Sequence, residues 1–269
     1  MRRPQYIAAG ITALLVVLTY VGCPIRPPEM AEGLQENPLA ATGLENLIRS
    51  ARADLTPAQM ATLSTLDDRL KSQTEEEERL DLLEQLAGEW YRAGQPAISG
   101  IYAAQIAEAR QDEDSWSIAA TTFTLCLRQE DAEDKTRQFC ADQAERAYQN
   151  VISLNPDNVE QRVNLALTYT DNPRPDDPMK GILQLRELVD EYPRSAAPLK
   201  ALGRLAIRTG QLDRAVERLA AAAELDPNDP DIFCPTARVL EELGRNEESR
   251  IFARRCGELL TAREAAQGG

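Results

Sequence analysis

Five cysteines, at positions 23, 126, 140, 234 and 256, are the residues best suited to covalent chemistry in this 269-residue chain. Four of them fall into two pairs close in sequence. If each pair is split across the two helices of a hairpin, Cys126 and Cys140 are symmetric about Glu133, and Cys234 and Cys256 about Arg245. Residues equidistant from an antiparallel turn face each other, so both pairs suit disulfides, as an even count does in an exported chain. The alternative is four small buried thiols, because free cysteine packs well. No C-x-x-C spacing occurs, which argues against zinc and thiol redox catalysis. Histidine is absent, which removes the usual general base near neutral pH and the commonest metal ligand. There is no G-x-S-x-G, G-x-G-x-x-G or phosphate loop. The acidic run Glu75-Glu76-Glu77-Glu78 and the pair Asp176-Asp177 read as solvated charge, the former complementing a helix start. The expectation is a chain that is not an enzyme and takes neither metal nor cofactor.

The elements that position these residues read as helices. Aromatics make up 5% of the chain, Ala and Leu are frequent, and no long alternating Val/Ile/Thr run suggests a sheet, so the expected class is all-α. A formal charge of −14 lacks the basic footprint of nucleic-acid binding, and nucleic acid is not expected as a partner.

Met1-Arg2-Arg3 precedes an uncharged run from Pro4 to Ile25, most apolar between Ile7 and Val21. About 22 residues rise about 33 Å as a helix, against a hydrocarbon core of about 30 Å. Residues 1–25 therefore read as a membrane-targeting helix with a cytoplasmic N-terminus, which places the bulk of the chain outside the cytoplasm, in the periplasm if the source is a bacterium. Val21-Gly22-Cys23 also suits the end of a lipoprotein signal with Cys23 lipidated, although Tyr20 stands where an aliphatic residue is usual. An uncleaved anchor, a lipoprotein and a cleaved signal remain open, since apolar length does not separate them. Residues 26–42 carry Pro27, Pro28, Pro38 and Gly33 and read as a linker. Residues 43–79 read as N-terminal helices that pack on the array beginning at Leu80. They comprise a short amphipathic helix over 43–53 and a second from the Thr56-Pro57 cap to about Lys71.

From Leu80 the chain repeats itself, and Ala196–Asp229 shows the unit best. Leu199, Leu202, Gly203 and Ala206 share one helical face, Thr209-Gly210-Gln211 breaks the helix, and Ala215, Leu219, Ala222 and Leu225 form a second face that Pro227 ends. This resembles a tetratricopeptide repeat, with its period of about 34 residues and small residues where the helices approach. Weaker copies align over 80–112, 113–156, 159–194 and 230–263, with Trp90, Trp116, Ala120 and Tyr169 at matching places. Glu130–Asp134 and Asp171–Pro178 lengthen two of the turns, Pro235 falls in the first turn of the last copy, and Ser249 takes its close-approach position. Residues 264–269 read as a tail.

The resemblance implies a right-handed superhelical solenoid of stacked hairpins whose first helices line a concave groove for a protein or peptide. By position, that groove receives Lys200, Arg204 and Arg208 from the fourth copy and Arg238 from the fifth. The earlier copies give Ser117, Thr121, Thr124, Val163, Leu167 and Thr170, a neutral to apolar surface. Asn164 and Arg162 resemble parts of the family's carboxylate clamp, at different offsets. A cationic stripe suits an acidic segment or a C-terminal carboxylate, while surface pairing with nearby acids is the plainer reading of the same charges. The function implied is a membrane-tethered scaffold in envelope assembly or secretion. The alternatives are a periplasmic chaperone-like protein or a self-assembling one.

Overall fold

The computed structural model describes residues 38–130 and 132–267. Residues 1–25, read from the sequence as a targeting segment with Cys23 as a candidate lipidation site, lie outside the described residues, as does most of the expected linker. Among the described residues no helix is long and apolar enough to cross a membrane. Two compact units divide after Arg49. The first is described from residue 38, where helix α1 (Pro38–Ala51) begins; a 3-10 turn, Arg52–Asp54, follows α1. The helix expected over 43–53 thus starts earlier and takes in residues 38–42, which the sequence assigns to the linker. Pro38 is no obstacle there, because a first-turn proline surrenders no helical hydrogen bond.

The second unit is a succession of eleven helices: α2 (Pro57–Ser72), α3 (Glu76–Arg92), α4 (Pro96–Arg110), α5 (Glu113–Leu127), α6 (Asp134–Leu154), α7 (Val159–Asp171), α8 (Lys180–Glu191), α9 (Ala196–Arg208), α10 (Leu212–Leu225), α11 (Pro230–Glu242) and α12 (Asn246–Gln267). Each packs on the next, so α3/α4, α5/α6, α7/α8, α9/α10 and α11/α12 are antiparallel hairpins, and α7 also lies against α9. The acidic run opens α3, so the first hairpin begins four residues before Leu80. The expected tail is helical through Gln267, because Ala, Glu and Arg favour extension of α12 over fraying.

Starts and stops follow local chemistry. Thr56 closes a capping box with Gln59 at α2: its backbone N–H donates to Gln59 Oε1 at 2.9 Å, and its hydroxyl oxygen accepts from Gln59 N–H at 3.3 Å. Asp112 caps α5, accepting from the Ser115 N–H at 2.7 Å, and this backbone hydrogen bond holds its carboxyl below the usual range. A depressed carboxyl contributes stability above its unfolded-state pKa that is lost as pH falls through the folded value. Asp112→Ala is expected to cost about 1 kcal/mol at neutral pH and to flatten the acid limb of a stability–pH curve measured by urea unfolding. α6, α8 and α10 each end two residues before a proline, Pro156, Pro193 and Pro227. Gly210 leaves α9 at φ +70°, where a side chain is strained.

Each hairpin contributes fully buried apolar side chains, with Leu86, Phe123, Tyr148, Leu185, Leu219 and Leu240 all under 2% exposed. Trp90, Trp116, Ala120, Tyr169, Gly203 and Ala215 are buried as well. The closest approach within a hairpin is met in three ways. Gly203 meets Leu219, whose side chain would lie 2.6 Å from a Cβ at position 203. In α7/α8 the small residue moves to the second helix, where Gly181 lies against the Ala166 carbonyl. In the first and last hairpins Ser99 and Ser249 donate their hydroxyls to the carbonyls of Ala87 and Ala237, at 2.8 and 3.0 Å. The serine that departs from the repeat pattern is therefore a satisfied buried donor. Pro235 sits inside α11 rather than in its first turn, because the helix already starts at Pro230.

The long α7–α8 turn is fastened to the second hairpin through Glu145, 16% exposed. Its carboxylate accepts from the Tyr169 hydroxyl at 2.7 Å and from the Arg174 guanidinium at 2.6 Å, while Lys180 lies 3.7 Å above the Tyr169 ring. Burial, then the bond to Glu145, pushes the Tyr169 hydroxyl far above its ordinary pKa. Two disulfides cross hairpins: Cys126–Cys140 joins α5 to α6, and Cys234–Cys256 joins α11 to α12, with Cα–Cα distances of 6.0 and 5.0 Å.

Candidate protein-interaction surface

The first helices of successive hairpins bring three charged residues into one row. Arg128 caps the C-terminus of α5, Asp171 is the last residue of α7, and Arg208 the last of α9. A cation suits the negative end of a helix dipole and an anion does not, so Asp171 needs compensation, and both arginines supply it. Arg128 Nε donates to Asp171 Oδ2 at 2.9 Å, and Arg208 Nη1 to Oδ1 at 2.8 Å. The Asp171 side chain is only 8% exposed, against 50% and 56% for its partners. Arg204, one turn before Arg208, is exposed and has no ion-pair partner among the described residues. Together with Leu167, Ala201 and Leu205 these residues line a cavity of about 320 Å³.

The other expected groove residues are dispersed. Lys200 donates to Asp229, the N-cap of α11, at 2.6 Å and is three-quarters buried, so its charge fastens α9 to α11. This corrects its place in a free cationic stripe; Arg208 is likewise paired, through Asp171. Arg238 is exposed, with no ion pair among the described residues. Thr121 is exposed but turns its hydroxyl back onto the Ser117 carbonyl at 2.8 Å. Thr124 and Val163 are buried rather than on the surface, Thr124 bonding the Tyr148 hydroxyl at 3.0 Å. Asn164 reaches only Gln161, at 3.4 Å. Arg162 holds Glu191 with both terminal nitrogens, at 2.8 and 2.7 Å, and donates to the Tyr192 hydroxyl at 2.6 Å. Those bonds raise the arginine's pKa and hold Glu191 below the usual carboxylate range. The resemblance of Asn164 and Arg162 to a clamp is therefore not realised, because Arg162 is spent on the end of its own hairpin.

A second cleft, of about 480 Å³, opens between α3, α4 and α5. Ala87, Ala103, Ile106 and Ile118 line it, Tyr91 stands at its mouth, and the Arg110–Glu84 pair crosses it at 2.7 Å. Tyr91 and Ile118 are 54% and 60% exposed, which makes this end apolar where the α7–α9 end is cationic. Among the described residues no group of three His, Cys, Asp or Glu side chains stands close enough to hold a metal ion.

Sequence reasoning misses Arg128 and Asp171, although a signal exists. Residues 128, 171 and 208 fall at the C-terminal ends of successive first helices, Arg128 one residue past the end of its helix, with alternating charge.

Among solved structures, MamA (41-end) from Desulfovibrio magneticus RS-1 is 14% identical over 68% of this chain and 96% of its own, with a TM-score of 0.42. TTC0263, described as a thermophilic TPR protein in Thermus thermophilus, is 18% identical over 73% of this chain and 98% of its own, with a TM-score of 0.47. No curated protein matches the sequence. The family described as Tetratricopeptide repeat matches residues 182–233, from α8 through the start of α11, so this stretch of the chain is similar to a tetratricopeptide repeat.

Proposed function

We propose that this chain is a non-enzymatic scaffold that holds a protein partner along the first helices of its stacked hairpins. These helices form the concave side of a right-handed superhelix. The N-terminal segment tethers the scaffold to a membrane, with the repeats outside the cytoplasm, in the service of envelope assembly or secretion. The observation that carries the reading is the row of exposed side chains on α5 and α9, Thr121, Arg128, Arg204 and Arg208, the last two within the stretch that resembles a tetratricopeptide repeat. Repeat hairpins bury their cores against one another and leave an extended surface to ligands. The arginine-rich end suits an acidic segment or a free C-terminus. The paired cysteines support an oxidising compartment, and the charged-then-apolar start supports the tether, either as a retained helix or through lipidated Cys23.

The apolar cleft with exposed Tyr91 and Ile118 favours a second reading, a chaperone-like or self-associating protein that covers this patch with a client or with another copy. Crosslinking of the full chain in its native membranes, followed by mass spectrometry, tests both. The scaffold reading expects one defined partner that is lost in Arg204→Glu/Arg208→Glu. A ladder of homo-oligomers, or a broad set of unfolded clients, would replace it with the second reading.

A further inference from the structure

The two disulfides sit in unlike surroundings. Cys126 and Cys140 are both 0% exposed, and the hairpin they join has α4 packed on one side and α7 on the other. Cys234 and Cys256 are half-buried, and α12 packs chiefly on α11. Exchange needs a thiolate to reach a disulfide sulfur, so the folded chain offers one pair to solvent and closes off the other. Arg238 lies one turn after Cys234, exposed and with no ion pair among the described residues. A cation in that place favours an approaching thiolate.

The open pair also fastens a turn with little to hold it from within. Pro235 has no N–H to give the Asp231 carbonyl, so the first turn of α11 lacks a helical hydrogen bond. Ties from α12 stand in for it. Besides the disulfide, the Phe233 and Phe252 rings lie 5.6 Å apart, and the Arg255 guanidinium donates to the Pro227 carbonyl at 3.2 and 3.0 Å and to Asn228 Oδ1 at 3.0 Å. Phe252, Arg255 and Cys256 share one stripe of α12, and the disulfide is the covalent tie among the three. Loosening there reaches the neighbouring hairpin through Asp229, the N-cap of α11, whose carboxylate holds Lys200 at 2.6 Å.

We propose that Cys234–Cys256 is a site of thiol–disulfide exchange, a latch on the last hairpin that an external thiol opens while Cys126–Cys140 stays closed. The thiolate attacks Cys256 Sγ, the S–S bond breaks, and its electron pair leaves on Cys234 Sγ. Cys234, the fifth residue of α11, lies nearer a positive helix end than Cys256, the eleventh of 22 in α12. A second thiolate attacks the external sulfur of the mixed disulfide and expels the Cys256 thiolate. Both cysteines take up protons, the chain gains two electrons, and the external thiols leave as a disulfide. The reductant is a thiol by class, from a small monothiol or a dithiol protein. Opening frees the first turn of α11 and, through Asp229, Lys200.

The test uses the oxidised full chain in detergent, treated with reduced glutathione or with reduced thioredoxin. Samples are quenched with N-ethylmaleimide at intervals and mapped at each cysteine by peptide mass spectrometry, with amide exchange followed in parallel. Cys234 and Cys256 should become alkylated at least about tenfold sooner than Cys126 and Cys140, and amide exchange over α11 and α12 should quicken by roughly a hundredfold. Cys234→Ser/Cys256→Ser should show the quickened exchange without any thiol and no further response to one. Faster reduction by thioredoxin than by glutathione at equal thiolate identifies a dithiol protein as the reductant; equal or slower reduction identifies a small thiol. Alkylation of all four cysteines together, of Cys126 and Cys140 first, or of none with either thiol would overturn the proposal. So would an opened Cys234–Cys256 bond with unchanged exchange in α11 and α12.

Discussion

Gly181→Ala is expected to destabilise the protein by about 3 kcal/mol, more than the same added methyl at Gly203, although alanine is the better helix former. Gly181 is in the first turn of α8, where the helix crosses α7. A Cβ there would overlap the Ala166 carbonyl oxygen and lie 2.7 Å from Thr170 Cγ2 and 2.9 Å from the Thr170 nitrogen. Two of these three neighbours are backbone atoms inside a helix and cannot rotate away, so relief requires moving α8 bodily from α7 and loosening Leu185 and Leu188 from their cluster. Gly203→Ala is the control. Its added methyl meets the Leu219 side chain, with the nearest backbone atom, Ala215 O, at 3.6 Å, so repacking Leu219 relieves part of the clash. Urea midpoints at constant m-value compare the two. A Gly181→Ala protein as stable as wild type would mean that α7 and α8 do not approach as closely as described.

Reduction of the two disulfides is expected to cost about 3 kcal/mol each in the chain-entropy description of loop closure, from sequence separations of 14 and 22 residues. The two losses should differ in their reach. Cys126–Cys140 is fully buried and ties the second hairpin, which has neighbours on both sides, so Cys126→Ser/Cys140→Ser should lower the unfolding midpoint of the whole array. Cys234–Cys256 ties the last hairpin, where few neighbours share the load, so Cys234→Ser/Cys256→Ser should release α11 and α12 first. That would show as early amide exchange confined to residues 230–267. Identical melting with and without reductant, in protein isolated from its own compartment, would mean that the pairs are not oxidised there.

The hairpins are legible in the sequence because their signals are local: apolar spacing on each helix, glycines and prolines at the breaks, and a period that repeats. The cysteine pairing is also legible, because symmetry about a turn fixes which residues face each other. The surface is less so. Lys200 reads as a groove cation by position, but its partner Asp229 is the N-cap of a helix in the next hairpin, and period alone does not say where a flexible ammonium will settle. Thr124 and Val163 fall on groove positions of the pattern, yet both are buried, Thr124 against the Tyr148 hydroxyl and Val163 in the cluster around Leu185 and Leu202. Arg128 and Asp171 escape notice because the lengthened turn Glu130–Asp134 sets them 43 positions apart, outside the period that flags the other sites.

The central claim is that the first helices of the hairpins, and not the second, face the partner. A photo-crosslinking amino acid placed in turn at Thr121, Arg204 and Arg238, and at Glu217 on α10 as the opposite-face control, tests this in the native membrane. All four positions are exposed. A common partner adduct at the first three and none at Glu217 is the predicted result. Adducts of equal yield at all four, or at Glu217 alone, would contradict the claim.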